Sequence, residues 1–164
     1  DYMIARYSAL FVFLLLVTLA AVAGASFEAG EWYFRDLNQP AWAVPAWLYG
    51  PAWALAWVFA ALAAWNAWLT GHYDRYKALP WWLALLLANL AWSFLYFGMH
   101  RPGWAWLALC LSLAATVLCM RAFSRISSEA AKLMIPCLAW VAYLWLLNLA
   151  TWSLNGGPLA AIFF

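Results

Sequence analysis

The chain has 164 residues, of which 70% are apolar and only 9% are charged, and its mean hydropathy is +0.82. Soluble domains carry about 25% charged residues, so this composition excludes an ordinary soluble domain and indicates an integral membrane protein. The net charge of +2 is spread over short loops and offers no footprint for nucleic acid. Because one membrane span needs about 20 apolar residues, we predict a single all-α transmembrane domain over residues 1–164.

Five apolar segments are long enough to cross a bilayer, and proline, glycine and polar residues separate them. The predicted helices run over residues 4–26, 45–69, 80–97, 104–123 and 129–154. The first segment also resembles a secretory signal, but its apolar run exceeds the usual length of about 7–15 residues, so we interpret it as a retained helix. Ser127 or Ser128 is the predicted N-cap of the fifth helix, and Asn155-Gly156-Gly157-Pro158 is predicted to end it.

The segment between the first two helices, residues 27–44, is predicted to form a stiff aromatic lid. Pro40 and Pro45 each lack a backbone donor and push the preceding residue toward an extended backbone, so no regular helix is expected there. Indole rings flank these prolines, at Trp32, Trp42 and Trp47. Such rings suit either the water–lipid boundary or a flat aromatic ligand.

One face of the second helix carries a stripe of four tryptophans at helical spacing. These are Trp53, Trp57, Trp65 and Trp68. Trp65 and Trp68, near the far interface, are interpreted as packing or interface residues. Trp53 and Trp57 lie beneath the lid, where a pocket wall and simple packing are equally compatible with the pattern. Gly50, at the start of this helix, permits close approach of another backbone or a ligand.

Two amides lie within apolar helices, Asn89 in the third and Asn148 in the fifth. An amide in hydrocarbon is costly without a partner, so both are expected to face the bundle interior. Each could join helices or serve as a polar anchor in an aromatic cavity. Trp92 and Tyr96 share the helix face of Asn89, and Trp140 shares that of Asn148.

The sequence contains no grouping of residues that is typical of a catalytic or metal-binding site. No interior position offers paired carboxylates, a Ser–His or Cys–His arrangement, or a histidine that could ligate iron, which argues against acid–base and nucleophilic catalysis. Cys110, Cys119 and Cys137 lie in apolar segments without paired spacing, and His72 and His100 fall in separate loops, so no metal site is predicted. A porphyrin would be held by stacking and shape.

Basic residues predict the orientation of the chain in the membrane. Six of them lie on the N-terminal side: Arg6, Arg75, Lys77, Arg121, Arg125 and Lys132. Arg35 and Arg101 lie on the other side. The positive-inside rule then places the N-terminus in the cytoplasm and the lid and C-terminus on the opposite face, without deciding between inner and outer membranes.

Three ordered blocks of residues carry a family resemblance. The first is Trp32-Tyr33, Leu37-Asn38-x-Pro40, Trp42-x-x-Pro45-x-Trp47 and Gly50-Pro51-x-Trp53. The second is Asn89-x-x-Trp92, Tyr96-Phe97-Gly98 and Gly103-Trp104-Ala105. The third is Pro136-x-Leu138-Ala139-Trp140, Leu147-Asn148, Trp152 and Asn155. Together they resemble the signature of the TspO/translocator protein family, also called tryptophan-rich sensory proteins or peripheral benzodiazepine receptors.

The resemblance implies a membrane sensor or transporter-like protein with a cavity between five helices, lidded by the first loop. It implies tetrapyrrole ligands, porphyrin or haem, without a required cofactor, and other hydrophobic ligands in some members. By this resemblance and by position, the expected ligand-binding residues are Trp32, Trp42, Pro45, Trp47, Gly50, Trp53, Trp57, Asn89, Trp92, Tyr96, Phe97, Trp104, Trp140, Tyr143 and Asn148.

Two alternatives to a ligand-binding sensor remain open. For some bacterial members the resemblance implies light-dependent porphyrin breakdown, for which Trp53 and Trp140 are the candidate catalytic residues. The rings could instead only anchor an assembly or regulatory partner that has no small-molecule site. Family members are often homodimers, and Ala84-x-x-x-Ala88 makes the third helix a candidate dimer surface.

Overall fold

The computed structural model describes residues 2–27 and 29–157, and these residues form helices, turns and loops without a strand. The helices are α1 (Tyr2–Ala25), α2 (Tyr49–Leu69), α3 (Arg75–Ser93), α4 (Pro102–Ser124), α5 (Ser128–Leu133) and α6 (Ile135–Leu154). Five spans are long and apolar enough to cross a membrane, since α5 and α6 together make the fifth. The predicted all-α bundle of five spans is confirmed.

The bundle is built around α2 and α4. α4 packs against α3 and α6, and α2 packs against α1 and α6. The buried face of α2 consists mainly of alanines, at positions 56, 60, 61, 63, 64 and 67. Small side chains let helix backbones approach closely, which is how membrane helices gain packing contacts. α1 is the outlier, because it buries only Phe13 and Val17.

The third span begins at Arg75 and not at the predicted Pro80. Polar contacts stabilise residues 75–79, which extend the helix beyond its predicted start. The Lys77 ammonium lies 3.2 Å from the Asp74 carboxylate, and the Arg75 guanidinium donates to the Trp68 carbonyl at 2.8 Å. Pro80 therefore lies inside the helix and leaves the carbonyl four residues earlier without its usual donor.

The fifth span, predicted as one helix over residues 129–154, is interrupted at Met134. Pro136, two residues later, lacks the N–H that would continue α5 into α6. The Ser127 hydroxyl accepts from the backbone N–H of Ala130 at 3.3 Å, so the predicted N-cap is Ser127. α6 ends at Leu154 as expected, while Pro158 of the predicted stop lies outside the described residues.

The lid loop between α1 and α2 differs from its prediction in two ways. Trp32–Asp36 form a π-helical turn, which the prolines do not prevent because they come later in the chain. The second span begins with the 3₁₀ turn Ala46–Leu48, since Pro45 has an extended backbone (φ −63°, ψ 150°) and not the predicted helical one.

Hydrogen bonds tie the lid loop to α6. The side chain of Asn155 accepts from the backbone N–H of Asn38 at 3.1 Å and donates to the Asn38 carbonyl at 2.8 Å. The Tyr143 hydroxyl accepts from the N–H of Val44 at 3.0 Å and donates to the carbonyl of Trp42 at 3.1 Å. The lid is thus fastened to the last helix at two points.

Candidate functional site

A cavity of about 290 Å³ lies between α1, α2 and α3 at the end of the bundle that carries the lid. On α1 its wall consists of small residues, namely Ala20, Ala21, Gly24 and Ala25. On α2 the wall consists of Tyr49, Gly50, Trp53, Ala54 and Trp57. On α3 and just beyond it the wall consists of Asn89, Leu90, Trp92, Ser93 and Phe97. Phe27 completes the lining at the lid side.

Trp53 is the centre of the aromatic wall. It stacks on Trp57 with ring centroids 5.2 Å apart, as expected for residues four apart on one helix face. It is tilted against Trp92 at 6.1 Å and meets Trp140 edge to face, also at 6.1 Å. These are favoured aromatic geometries, so the rings hold one another in fixed orientations.

Trp92 is held from behind by α6. It is 2% exposed, and its indole N–H donates to Oδ1 of Asn148 at 2.8 Å. The amide of Asn148 donates in turn to the carbonyl of Pro102 at 2.8 Å. Asn148 therefore joins helices and does not line the cavity. Tyr96 stacks on Trp92 at 5.2 Å and is buried behind it.

Asn89 joins α3 to α4 and also borders the cavity. It is 2% exposed, and its Oδ1 accepts from the Ser112 hydroxyl of α4 at 2.6 Å. Its Nδ2 has no hydrogen-bond partner among the described residues, although Asn89 lines the cavity. An unpaired buried donor is costly. The Nδ2 of Asn89 is therefore an unpaired donor beside the aromatic rings of the wall.

Six of the predicted site residues meet at this cavity: Gly50, Trp53, Trp57, Asn89, Trp92 and Phe97. Trp140 and Tyr143 form a layer behind them, stacked at 5.7 Å, and Trp140 reaches the cavity wall through Trp53. Of the four tryptophans of the predicted stripe, Trp53 and Trp57 line the cavity, whereas Trp68 packs on Phe13 of α1 at the other end of the bundle.

The remaining predicted residues lie elsewhere. Trp32 stacks on His100 at 4.5 Å, and Trp42 contacts Tyr143. Pro45 and Trp47 are exposed at the surface, Trp47 by 71%. Trp104 is also exposed and borders a separate groove at the start of α4.

The lid contributes less of the cavity lining than predicted. Among its described residues, Phe27 alone belongs to the lining, and α1 supplies the opposite wall. The reason lies in the hydrogen bonds of Asn155 and Tyr143, which draw the lid toward α6. Sequence reasoning thus missed the wall formed by α1. The spacing Ala20-x-x-x-Gly24 indicates only that another helix backbone packs closely against α1.

Fold and site together define an integral membrane protein whose five-span bundle contains a tryptophan-walled cavity, lined by α1, α2 and α3 and not by all five spans as expected. A model of the TspO/MBR family matches residues 11–153. The tryptophan-rich protein TspO of Chlorobaculum tepidum is 31% identical over 137 residues, which cover 81% of this chain and 87% of that relative. The chain belongs to the TspO/MBR family.

Proposed function

We propose that this chain is a membrane sensor or transporter-like protein that binds flat hydrophobic ligands, above all tetrapyrroles such as porphyrin or haem, in the cavity between α1, α2 and α3. One observation carries the proposal: the rings of Trp53, Trp57 and Trp92 line a cavity whose opposite wall has small side chains. Ring faces stack on flat ligands, and the small residues leave room for them. The free amide of Asn89 adds the polar anchor that such sites usually contain.

The size of the cavity specifies how a tetrapyrrole would bind. At about 290 Å³ it lies at the lower end of ligand pockets, which span roughly 300–1,000 Å³. A tetrapyrrole needs more space than this conformation offers. α1 is the wall that can yield, because none of residues 18–25, all of them described, is buried. Tetrapyrrole binding is therefore coupled to outward movement of α1.

The macrocycle would be held by stacking and by the shape of the cavity, and not by axial coordination of a metal. The described lining of the cavity contains no histidine, cysteine or methionine that could bind iron. Metal-free protoporphyrin and haem should consequently bind with similar affinity. A much tighter complex with haem would indicate axial coordination, for which the phenol of Tyr49 is the candidate in this wall.

The binding test compares two tryptophans. Protoporphyrin is titrated into the detergent-solubilised protein, and the dissociation constant is taken from fluorescence quenching and from the rise in melting temperature. Trp53→Phe removes stacking area from the wall and is expected to weaken binding about tenfold, whereas Trp47→Phe, at the surface, should bind like wild type. Equal affinities of the two variants, or no saturable binding, would refute the proposal.

Photochemical porphyrin breakdown is a second candidate function. It is favoured by the edge-to-face contact of Trp53 and Trp140, which links the cavity wall to a second indole. Illumination of the protein with protoporphyrin should then yield a new absorbing product. Trp53→Phe and Trp140→Phe should lose this product, while Trp65→Phe, at the other end of α2, should retain it. Product formation by all three variants would exclude a role of Trp53 and Trp140 in the photochemical reaction.

We also propose a homodimer through α3. Its outward face carries Leu83 and Leu87, which are exposed, next to the half-buried Ala84 and Ala88. Small residues flanked by leucines suit close helix–helix contact in lipid. Light scattering of the protein in detergent should give twice the protomer mass. The Ala84→Trp variant should give the mass of a single protomer.

The orientation is proposed with the lid on the non-cytoplasmic face, as the distribution of basic residues indicates. A cysteine at Trp47 on the exposed lid should react with a membrane-impermeant maleimide added to intact cells. A cysteine at Tyr73, in the loop between α2 and α3, should react only after the membrane is opened. The reverse pattern would invert the orientation.

A further inference from the structure

We infer that ligands reach this cavity sideways from the lipid bilayer, through a mouth between the lid-end halves of α1 and α2, so that its natural ligands are molecules dissolved in the membrane. The inference rests on the proposed function, since it concerns the route by which a bound ligand arrives. Three features support it: where the cavity meets the surface, what closes it toward the lid, and how α1 is held.

The cavity meets the surface at small residues. Ala25 of α1 and Gly50 and Ala54 of α2 line the cavity and are at the same time exposed. A Cβ atom added at Gly50 would meet no atom within 4 Å, so the space beside this glycine is open. The neighbouring exposed side chains, Val22 on α1 and Leu55 on α2, are apolar. Apolar surface on a membrane-spanning helix faces hydrocarbon, so this mouth opens toward lipid.

Packed aromatic rings close the cavity on the side of the lid. Tyr33 of the lid is buried and contacts Tyr49 and Phe97, with ring centroids 6.4 and 5.8 Å away. Beside them, Phe27 meets Phe94 edge to face at 5.5 Å. A ligand that came from water beneath the lid would have to separate these rings. Passage through the side mouth requires no such separation.

α1 is held mainly through its other half. Phe13 packs edge to face on Trp82 at 5.4 Å, and the indole N–H of Trp65 donates to the backbone carbonyl of Arg6 at 2.9 Å. The lid-end half, residues 18–25, contributes no buried residue to the core. The mouth can therefore widen by an outward swing of this half while the opposite half stays fixed. A ligand larger than the resting cavity can be admitted in this way.

The test is to fill the mouth. Gly50→Leu places a side chain in the open space and leaves the indoles of the wall unchanged. The protein is placed in phosphatidylcholine nanodiscs that contain protoporphyrin, and association is followed by stopped-flow quenching of tryptophan fluorescence. We expect association and dissociation both to slow about tenfold or more, because both directions use the same mouth. Ala54→Leu fills the mouth from the next turn of α2 and serves if Gly50→Leu fails to fold.

Two comparison variants distinguish the routes. Ala114→Leu adds the same side chain at an exposed position of α4 away from the cavity, and it should keep wild-type rates. Asn155→Ala removes the side chain that ties the lid to α6, and it should accelerate association only if ligands pass beneath the lid.

The outcomes separate this inference from the proposed function. Slow exchange in Gly50→Leu, with wild-type rates in both comparison variants, supports the side route. Wild-type rates in both mouth variants, or faster association in Asn155→Ala, would overturn it and leave the proposed binding intact. If the wild-type protein shows no saturable quenching after any incubation time, the proposed function fails and the route fails with it.

Discussion

The indole N–H of Trp92 donates a 2.8 Å hydrogen bond to the side-chain carbonyl of Asn148, and both residues are almost completely buried. The bond crosses from α3 to α6, and the amide of Asn148 continues it to the carbonyl of Pro102 at the start of α4. One side chain thus joins three helices. It also fixes the ring of Trp92 in the wall of the cavity, so stability and site geometry share the same contact.

Replacement of Asn148 by leucine should destabilise the bundle. It leaves the indole N–H of Trp92 buried without a partner, at a cost of about 1–3 kcal/mol in the free energy of unfolding. Thermal unfolding in detergent, followed by circular dichroism, should show a lower melting temperature. Asn38→Leu is the matched control, because Asn38 is exposed and its hydrogen bonds to Asn155 use only its backbone. An unchanged melting temperature for Asn148→Leu would mean that this network contributes little.

Removal of the Tyr143 hydroxyl should loosen the lid. In Tyr143→Phe the backbone N–H of Val44 loses its acceptor, while the ring can still stack on Trp140. The carbonyl of Trp42 loses its donor as well, and the loss of two hydrogen bonds of about 1 kcal/mol each should speed local opening by about tenfold or more. Hydrogen exchange at residues 41–44 is the measurement, and Tyr73→Phe, on an exposed loop, is the control. Equal protection in both variants would contradict the proposed tether.

Asn89 should confer a preference for ligands that carry a hydrogen-bond acceptor. Its free Nδ2 can donate to a ligand carbonyl, so wild-type protein should favour fluorenone over fluorene relative to Asn89→Leu, by about tenfold. The ratio of the two affinities cancels differences in how the probes partition into detergent. Asn66→Leu should keep the wild-type ratio. If Asn89→Leu also keeps it, the amide does not contact these ligands.

A disulfide between α1 and α3 should restrain the mobile wall. A Cβ built at Gly24 lies 3.8 Å from the Cβ of Ser93, which is close to the mean separation in disulfides. Oxidised Gly24→Cys/Ser93→Cys protein should bind protoporphyrin markedly more slowly than the reduced form, because α1 can no longer swing outward. Gel mobility after cleavage between the helices reports the cross-link. Identical rates in both redox states would show that α1 need not move.

Much of the fold could be predicted because it depends on local properties of the chain. An apolar run of about 20 residues must satisfy its own backbone hydrogen bonds in lipid, so five such runs imply five helices. Likewise, the cost of placing an amide in hydrocarbon turned Asn89 and Asn148 inward, and both are buried. The predicted start of the third span and the predicted continuity of the fifth were wrong, since contacts of Arg75 and Lys77 extend one helix and Pro136 interrupts the other.

What the sequence determined by itself was the class of the molecule: the spans, the inward amides and the concentration of indoles at one end. The tertiary structure decided what each of these residues does there. Asn148 became a joint between helices because Trp92 and Pro102 lie opposite it, whereas Asn89 meets Ser112 through one atom only and keeps a free donor. Similarly, α1 became the cavity wall because the lid is bonded to α6. Such roles depend on partners far away in the chain, which local spacing and hydropathy do not encode.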